Sequence, residues 1–350
     1  MNQSARQLLQ IFLTTFVLLL LLEVAGRSLF FFRTAPESSG ILYLSKLVKT
    51  YWQNKALLTP KAENKLDGKA LNRLAWNATF EERGLTPRFG EPREGYWGEH
   101  VLPHQQERFL RYVERPIDIP DRVYVDPQGF QYAAASGHEP EYTILILGGS
   151  VAYGAYASEY ATTYFARLVD LLARENIFVE IYILAAGGWV SNDELIALVL
   201  RGLDKSPDMV MFFDGLNDLT NIDRQYAKRT SDYLNNMKKA KAIIAAKNIS
   251  VVFALQPFLP GKKLLTPIEK QIMKLTQSVN ALPPFYEKMV LGLRSLDDGR
   301  QAFFVDCSHL FDNEKQTTFT DVWHFTDPGH QIVAAHLAAH LADIITAENR

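Results

Sequence analysis

The pattern of hydrophobic and polar positions in this chain changes near residue 141. From there on, short apolar runs alternate with stretches in which apolar residues recur every three or four positions, as on one face of a helix. The apolar runs predict five strands, at 143–147, 179–184, 209–213, 249–255 and 302–305. The helical stretches lie at 159–174, 193–203, 223–247 and 329–346. Continuous apolar strands separated by helices predict a three-layer α/β/α fold around a parallel sheet of about five strands.

Residues 34–140 show no such alternation. They are rich in Pro, Gly, Arg and aromatic residues and contain no repeat, so we expect a wrapping or linker segment with some strands of its own. Within it, the run 126–130 predicts a turn, and 39–55 is a candidate helix. The catalytic domain is expected to cover 141–350. Its Pro-broken stretch 257–300 follows the fourth strand and is either a lid over the site or a helical crossover.

The first 33 residues are a candidate membrane anchor. The run 8–22 is almost entirely apolar, and continuing it to Phe32 gives a length that spans a bilayer. Glu23 stands where a signal-peptide cleavage site would need small residues, which favours an uncleaved anchor. A cleaved signal peptide and a buried or surface helix remain as alternatives. Basic residues flank the run on both sides and leave its orientation open. We expect a single-pass protein with an extracytoplasmic catalytic domain, periplasmic or at the cell surface.

Composition narrows the class of partner. The 350 residues are 47% hydrophobic, so a sizeable core is expected. The formal net charge is -2, so the chain lacks the excess of basic residues that would indicate a nucleic-acid partner. Cys307 is the only cysteine, which rules out an intramolecular disulfide and argues against a cysteine-based metal site. We predict no cofactor and no metal.

Three polar or glycine-rich motifs follow predicted strands. Ser150 comes after the first strand and two glycines, where a hydroxyl could serve as a nucleophile, although such a turn could equally bind phosphate. Asn217 follows the third strand, and its amide could donate to an oxyanion or simply close an Asx turn. Gly188 follows the second strand, and its backbone N–H could be a further donor beside Ser150 N–H. Gly187 competes with it for that role.

A serine nucleophile needs a histidine base, and the chain offers two Asp-x-x-His units. Asp306 and His309 follow the fifth strand, whereas Asp321 and His324 precede the last helix. In either unit the aspartate would fix the tautomer of its histidine. Local chemistry does not separate them.

The four motifs together resemble a known family. The run 148–154 is similar to block I of the SGNH (GDSL-type) hydrolases, and Gly188, 215–218 and 321–324 resemble blocks II, III and V, in order. The resemblance covers residues 142–347 and implies a flavodoxin-like SGNH-hydrolase fold in a membrane-anchored bacterial member. By resemblance, the nucleophile is Ser150, the base His324 and its partner Asp321, while the oxyanion hole is formed by Ser150, Gly188 and Asn217. Gly149 departs from the family, which has an aspartate there.

The expected function is that of a serine esterase. It would hydrolyse an acyl ester, with O-acetyl among the candidates, on a glycan or lipid substrate through an acyl-enzyme. Two alternatives stay open. The same acyl-enzyme could pass its group to a cell-surface glycan, as an O-acyltransferase does. A catalytically inactive, membrane-tethered glycan-binding or scaffold protein is the third reading, and its only support is the glycine at 149.

Overall fold

The computed structural model describes residues 104–105, 109–114, 116–119, 123–220 and 225–348. The predicted anchor at 1–33 and the candidate helix at 39–55 lie outside these residues. Within the described part of the chain, no helix combines the length and apolar character needed to cross a bilayer.

A six-stranded sheet forms the centre of the described structure. The strands in the described residues are β1 (His104–Gln105), β2 (Val113–Glu114), β3 (Ile117–Ile119), β4 (Val123–Val125), β5 (Gln131–Ala134), β6 (Tyr142–Gly148), β7 (Val179–Ala185), β8 (Met209–Asp214), β9 (Ser250–Leu255) and β10 (Ala302–Asp306). The central sheet has the order β10-β9-β8-β6-β7-β5. Two small antiparallel pairs, β1 with β2 and β3 with β4, precede it. Both pairs lie between residues 104 and 125, within the predicted wrapping segment 34–140.

The five predicted strands are confirmed, and all five are parallel. The sixth strand, β5, was not predicted. It runs antiparallel to β7 at the edge of the sheet. It has only four residues and begins with Gln131, so it carries too little apolar periodicity to be recognised. The side chain of Gln131 is buried and donates to the carbonyl oxygen of Tyr153 at 2.9 Å. The edge strand therefore also supports the loop that follows β6.

Helices cover both faces of this sheet. They are α1 (Tyr164–Arg174), α2 (Ser191–Leu200), α3 (Leu216–Leu219), α4 (Tyr226–Ala245), α5 (Pro267–Leu275), α6 (Pro283–Arg294) and α7 (Asp327–Glu348). Every residue of β8 and β9 is buried, and successive side chains of a strand point to opposite faces, so both faces must be covered. α1 packs against α7, and α4 packs against α2 and α6. The observed architecture is the predicted α/β fold.

The helix bounds differ slightly from the predicted ones. The helix predicted at 193–203 runs from Ser191 to Leu200 and is followed by a 3-10 turn over Gly202–Lys205. A Cβ at Gly202 would stand 2.6 Å from the Leu145 side chain, so the glycine allows this turn to approach the sheet closely. The stretch 257–300 links β9 to β10 through α5 and α6, which is the helical crossover among the two predicted alternatives.

The strand register brings the first three motifs together. Gly148, at the end of β6, pairs with Ala185 of β7 on one side and with Phe213 of β8 on the other. Because the three strands are parallel and end level, the loops that follow them share one edge of the sheet. This is the carboxyl edge, where sheets of this kind bind their ligands.

Candidate active site

Ser150, His324 and Asp321 form one line of hydrogen bonds at the carboxyl edge of the sheet. Ser150 Oγ lies 2.8 Å from His324 Nε2. His324 Nδ1 lies 2.7 Å from Asp321 Oδ2. With Nδ1 protonated and donating to the carboxylate, Nε2 is the basic nitrogen and faces the serine hydroxyl. The structure thus brings together all three side chains that the resemblance assigned to one site. Their catalytic roles remain a prediction.

A tight loop fixes the orientation of the histidine. Asp321 Oδ1 accepts from the backbone N–H groups of Trp323 and His324, at 2.7 and 2.8 Å. The loop is closed by a bridge between Phe319 and Phe325, both fully buried. Burial alone would raise the pKa of the Asp321 carboxyl, but the charge of His324 and these hydrogen bonds lower it below its ordinary value. Asp321 is therefore held as the carboxylate that an imidazolium needs beside it.

The first turn of α7 connects the His324 loop to the loop that follows β6 and contains Ser150. Asp327 Oδ1 accepts from the backbone N–H of Ser158 at 2.9 Å, and Oδ2 accepts from the Ser158 hydroxyl. His330 is buried, and its Nε2 lies 3.1 Å from the carbonyl oxygen of Ala155. Burial lowers the pKa of His330 to about 4, so this ring is neutral. The spacing between Ser150 and His324 is thus fixed at a second point.

The predicted oxyanion donors lie in the loops that follow three neighbouring parallel strands, β6, β7 and β8. Asn217 Nδ2 donates one hydrogen to the carbonyl oxygen of Trp189 at 2.8 Å, and the amide carries a second. Gly188 has a positive φ of +78°, the left-handed conformation that glycine adopts without strain. The N–H of the competing residue, Gly187, already donates to Glu114 Oε1 at 3.1 Å. Because the Gly187 N–H already has this acceptor, Gly188 is the favoured backbone donor.

Gly149 leaves room for Asn217. A Cβ at position 149 would stand 2.3 Å from Asn217 Nδ2 and 3.4 Å from the carbonyl oxygen of Trp189. The amide therefore occupies the volume that any side chain at 149 would need. Where the family has an aspartate, this chain therefore has a glycine against which the predicted donor Asn217 packs closely.

The other Asp-x-x-His unit, Asp306 and His309, is not arranged as a hydrogen-bonded pair that could act as the base. His309 has a side chain that is 54% exposed and lies 3.5 Å from Asp312 and 3.8 Å from Glu287. Asp306 instead accepts from Ser308 and faces Arg294 at 3.5 Å. Of the two Asp-x-x-His units, the one that faces Ser150 is Asp321 and His324.

Tyr156 also lies beside the candidate base, and no sequence motif marked it. Its ring lies 5.0 Å from the His324 ring, centroid to centroid, at an interplanar angle of 36°. Its backbone φ of +66° is unusual for a residue with a side chain. Backbone strain of this kind is held in place by its surroundings and is frequent at functional sites.

Three buried acids lie at the end of β8 and in helices α2 and α3. Asp214 ends β8, and Asp218 and Glu194 are buried near it. Burial raises the pKa of Asp218 to about 7, and the Asp214 charge adds to this although hydrogen bonds from Ser191 oppose it. Burial, followed by the charge of Asp214, raises the pKa of Glu194 well above its ordinary value. In the part of the chain that the structure describes, no group of three or more potential ligands could hold a metal ion.

A parallel α/β sheet with a serine, a histidine and an aspartate hydrogen-bonded at its carboxyl edge is the arrangement of a hydrolase with a serine nucleophile. The chain belongs to the GDSL-like lipase/acylhydrolase family, whose family model matches residues 146–332. It is accordingly an ester-hydrolysing enzyme.

Solved structures of esterases and lipases are similar to this chain. One is a catalytic mutant of an acetylxylan esterase from Geobacillus stearothermophilus, with 15% identity, coverage of 57% of this chain and 94% of that one, and a TM-score of 0.42. Another is a lipase from a goat rumen metagenome, with 15% identity, coverage of 57% and 96%, and a TM-score of 0.46. No curated protein matches the chain by sequence.

Proposed function

We propose that this protein is a serine esterase that hydrolyses an acyl ester through a covalent intermediate on Ser150. Its base is His324, oriented by Asp321. The oxyanion hole consists of the N–H groups of Ser150 and Gly188 and the side-chain amide of Asn217. The observation that carries the proposal is the line of hydrogen bonds from Ser150 Oγ through His324 to Asp321, at 2.8 and 2.7 Å.

Acylation follows from this geometry. Ser150 Oγ attacks the ester carbonyl carbon while His324 Nε2 takes the hydroxyl proton. The negative charge that develops on the carbonyl oxygen is stabilised by the oxyanion donors, which act strongly because they are already oriented. Asp321 stabilises the imidazolium that forms. The tetrahedral intermediate then collapses, and His324 returns its proton to the departing alcohol.

Deacylation repeats these steps with water. His324 Nε2 takes a proton from a water molecule, whose oxygen attacks the acyl carbon bound to Ser150. The second tetrahedral intermediate expels Ser150 Oγ, which regains its proton from His324. A carboxylic acid leaves, and the enzyme returns to its starting state. His324 Nε2 takes part in all four proton transfers, two of them with Ser150 Oγ.

The substrate we propose is an acyl ester carried by a glycan or a lipid, with O-acetyl among the candidate groups. The support for a surface substrate is the apolar run 8–22, which we propose is a membrane anchor that holds the catalytic domain outside the cytoplasm. Fractionation of cells that express the full chain tests the anchor. Recovery in the soluble fraction without detergent would contradict it.

Hydrolysis of p-nitrophenyl acetate and labelling by a fluorophosphonate probe test the chemistry. Wild-type protein should turn over the ester and take up the probe, and Ser150→Ala should do neither. Esters of increasing chain length would then define the acyl group. Labelling of Ser150→Ala at the wild-type rate would refute the nucleophile, and absence of labelling in the wild type would favour an inactive scaffold. Product analysis with a glycan acceptor separates hydrolysis from acyl transfer.

A further inference from the structure

The short segment Arg111–Glu114 packs against the turn that carries Gly188. This segment precedes the family-matched residues, which begin at 146. Three of its side chains and one of its carbonyl groups make hydrogen bonds to the turn or to the helix that follows it. The turn of the candidate oxyanion hole therefore receives support from outside the family-matched segment.

Arg111 joins the turn to helix α2. Its guanidinium donates to the carbonyl oxygen of Gly188 at 2.6 Å. The same group makes a bidentate pair with Asp193, through Nε at 3.0 Å and Nη2 at 2.5 Å. Asp193 in turn accepts from the backbone N–H of Val190 at 3.0 Å, at the start of α2. A planar guanidinium fits this double contact because its donors have a fixed geometry.

Tyr112 and Glu114 hold Gly187 through both of its backbone polar groups. The Tyr112 hydroxyl donates to the Gly187 carbonyl oxygen at 2.5 Å. Glu114 Oε1 accepts from the Gly187 N–H at 3.1 Å. Burial raises the pKa of Glu114 to about 7, although the hydrogen bond from Gly187 opposes the rise. The Glu114 carboxyl group is thus buried at a place where it accepts a hydrogen bond from the turn.

The same segment is also linked, through Trp189, to the second predicted donor, Asn217. Trp189 Nε1 donates to the carbonyl oxygen of Tyr112 at 2.9 Å, and the Trp189 carbonyl oxygen accepts from Asn217 Nδ2 at 2.8 Å. A Cβ on Gly188 would stand 3.2 Å from the Tyr112 hydroxyl oxygen, so the tyrosine also limits how far the turn can move. Both the Gly188 N–H and the Asn217 amide are connected to the same short segment.

We propose that Arg111, Tyr112 and Glu114 are positioning residues for the oxyanion hole. They act through the Gly187–Trp189 turn and do not touch the reacting atoms. The inference rests on the proposed function, because the turn matters for catalysis only if it carries an oxyanion donor. An oxyanion hole accelerates a reaction only when its donors are held in place before the charge forms. In this chain, part of that holding comes from a segment N-terminal to the family-matched residues.

Tyr112→Phe is the mildest variant, because it removes one hydroxyl and keeps the ring. Tyr124→Phe is its matched control, since Tyr124 is 49% exposed on β4. Hydrolysis of p-nitrophenyl acetate should show a kcat lowered about tenfold in Tyr112→Phe, with KM nearly unchanged, because a displaced donor weakens transition-state binding more than substrate binding. Tyr124→Phe should match the wild type. A wild-type kcat for Tyr112→Phe would overturn the proposal.

Arg111→Ala and Arg111→Lys form a second pair. Loss of the guanidinium should lower kcat by up to about 100-fold. Lysine can reach Asp193 or the Gly188 carbonyl oxygen but cannot make the bidentate pair, so Arg111→Lys should recover only part of kcat. Equal activity of the alanine variant and the wild type would contradict a positioning role.

Amide hydrogen exchange provides a readout that does not depend on turnover. Exchange in the peptide 184–192 should be faster in Tyr112→Phe and Arg111→Ala than in the wild type or Tyr124→Phe, with unchanged exchange in β9. Unchanged exchange in 184–192 would overturn the proposal. If the wild type proves inactive toward esters while the exchange result holds, the proposed function fails and the positioning of the turn stands.

Discussion

Gly149→Ala should lower the kcat of this protein while leaving its free energy of unfolding nearly unchanged. A Cβ at position 149 would stand 2.3 Å from Asn217 Nδ2. Ordinary contact therefore requires the amide to move by roughly 1 Å, which is enough to cost up to about 100-fold in rate at a catalytic group. The atom that must move is the end of a side chain, so the backbone can remain in place. Unlike Gly188, Gly149 has no positive φ that alanine would resist.

The magnitudes favour a loss of activity with little loss of stability. Displacing Asn217 breaks its hydrogen bond to the Trp189 carbonyl oxygen, at a cost of about 1 kcal/mol. Alanine recovers about 0.4–1 kcal/mol by restricting the unfolded chain. The free energy of unfolding should change by less than about 1 kcal/mol. Loss of the proposed oxyanion donor, in contrast, should cost about 3–4 kcal/mol, which lowers kcat by about 10²–10³-fold.

A double-mutant cycle with Asn217→Ala isolates the cause. In p-nitrophenyl acetate hydrolysis, Gly149→Ala should lower kcat strongly in the wild-type background and hardly at all when Asn217 is already alanine. Equal losses in both backgrounds would refute the argument that the glycine acts through the amide. Unchanged kcat for Gly149→Ala would refute it as well.

The neighbouring glycine supplies the contrasting control. A Cβ at Gly148 would stand 2.4 Å from the backbone carbonyl oxygen of Phe213 and 2.5 Å from Ala152 Cβ. Here the obstacle is the adjacent strand β8, which cannot move without disturbing the sheet. Gly148→Ala should therefore lower the melting temperature, whereas Gly149→Ala should not. The reverse order of melting temperatures would contradict this difference between the two glycines.

Three further outcomes are expected. His324→Ala should lower kcat by about 10⁴-fold or more whereas His309→Ala should leave it unchanged; a rate series with the opposite order would overturn the choice of base. Tyr156→Ala should lower kcat by about tenfold without a large change in KM, because the ring beside His324 restrains the imidazole; wild-type kinetics would refute this restraint. Glu194→Gln should be more stable than the wild type at pH 8, with the difference shrinking toward pH 5, in thermal unfolding. The pKa of Glu194 is raised in the folded state, so its stabilising contribution is full below its unfolded value and is lost as pH rises; a difference that grows toward low pH would contradict this.

The parallel part of the fold could be predicted because its signals are local and strong. Strands β6, β8 and β9 are buried on both faces, so their sequences are continuous apolar runs that no other soluble structure of that length explains better. The motifs after the strands could then be placed at one edge of the sheet from topology alone. Strand β5 could not be found, because an edge strand of four residues that begins with Gln131 has too few apolar positions to be distinguished from a loop.

The choice between the two Asp-x-x-His units could not be made from local chemistry. Both units precede or follow regular elements near the same edge, and the distance to Ser150 depends on how their loops fold. In the structure, the loop with His324 is closed by the bridge between Phe319 and Phe325, a contact that involves tertiary packing of aromatic side chains. His309 instead lies exposed in the turns that follow β10. Only the family resemblance pointed to His324 in advance.

The supporting residues were the hardest to foresee, and the reason is general to sites of this kind. Catalytic groups belong to short motifs whose spacing is visible in the chain, whereas the residues that hold them act across long sequence separations. Arg111 and Gly188, for example, are 77 residues apart. Arg111 lies in a stretch without periodic pattern, so nothing local marks it as different from a solvated arginine. Yet the value of an oxyanion donor depends on its being fixed before charge develops. Residues of this second kind therefore have to be read from contacts, and in this chain the contacts lead from Asn217 through Trp189 to Tyr112.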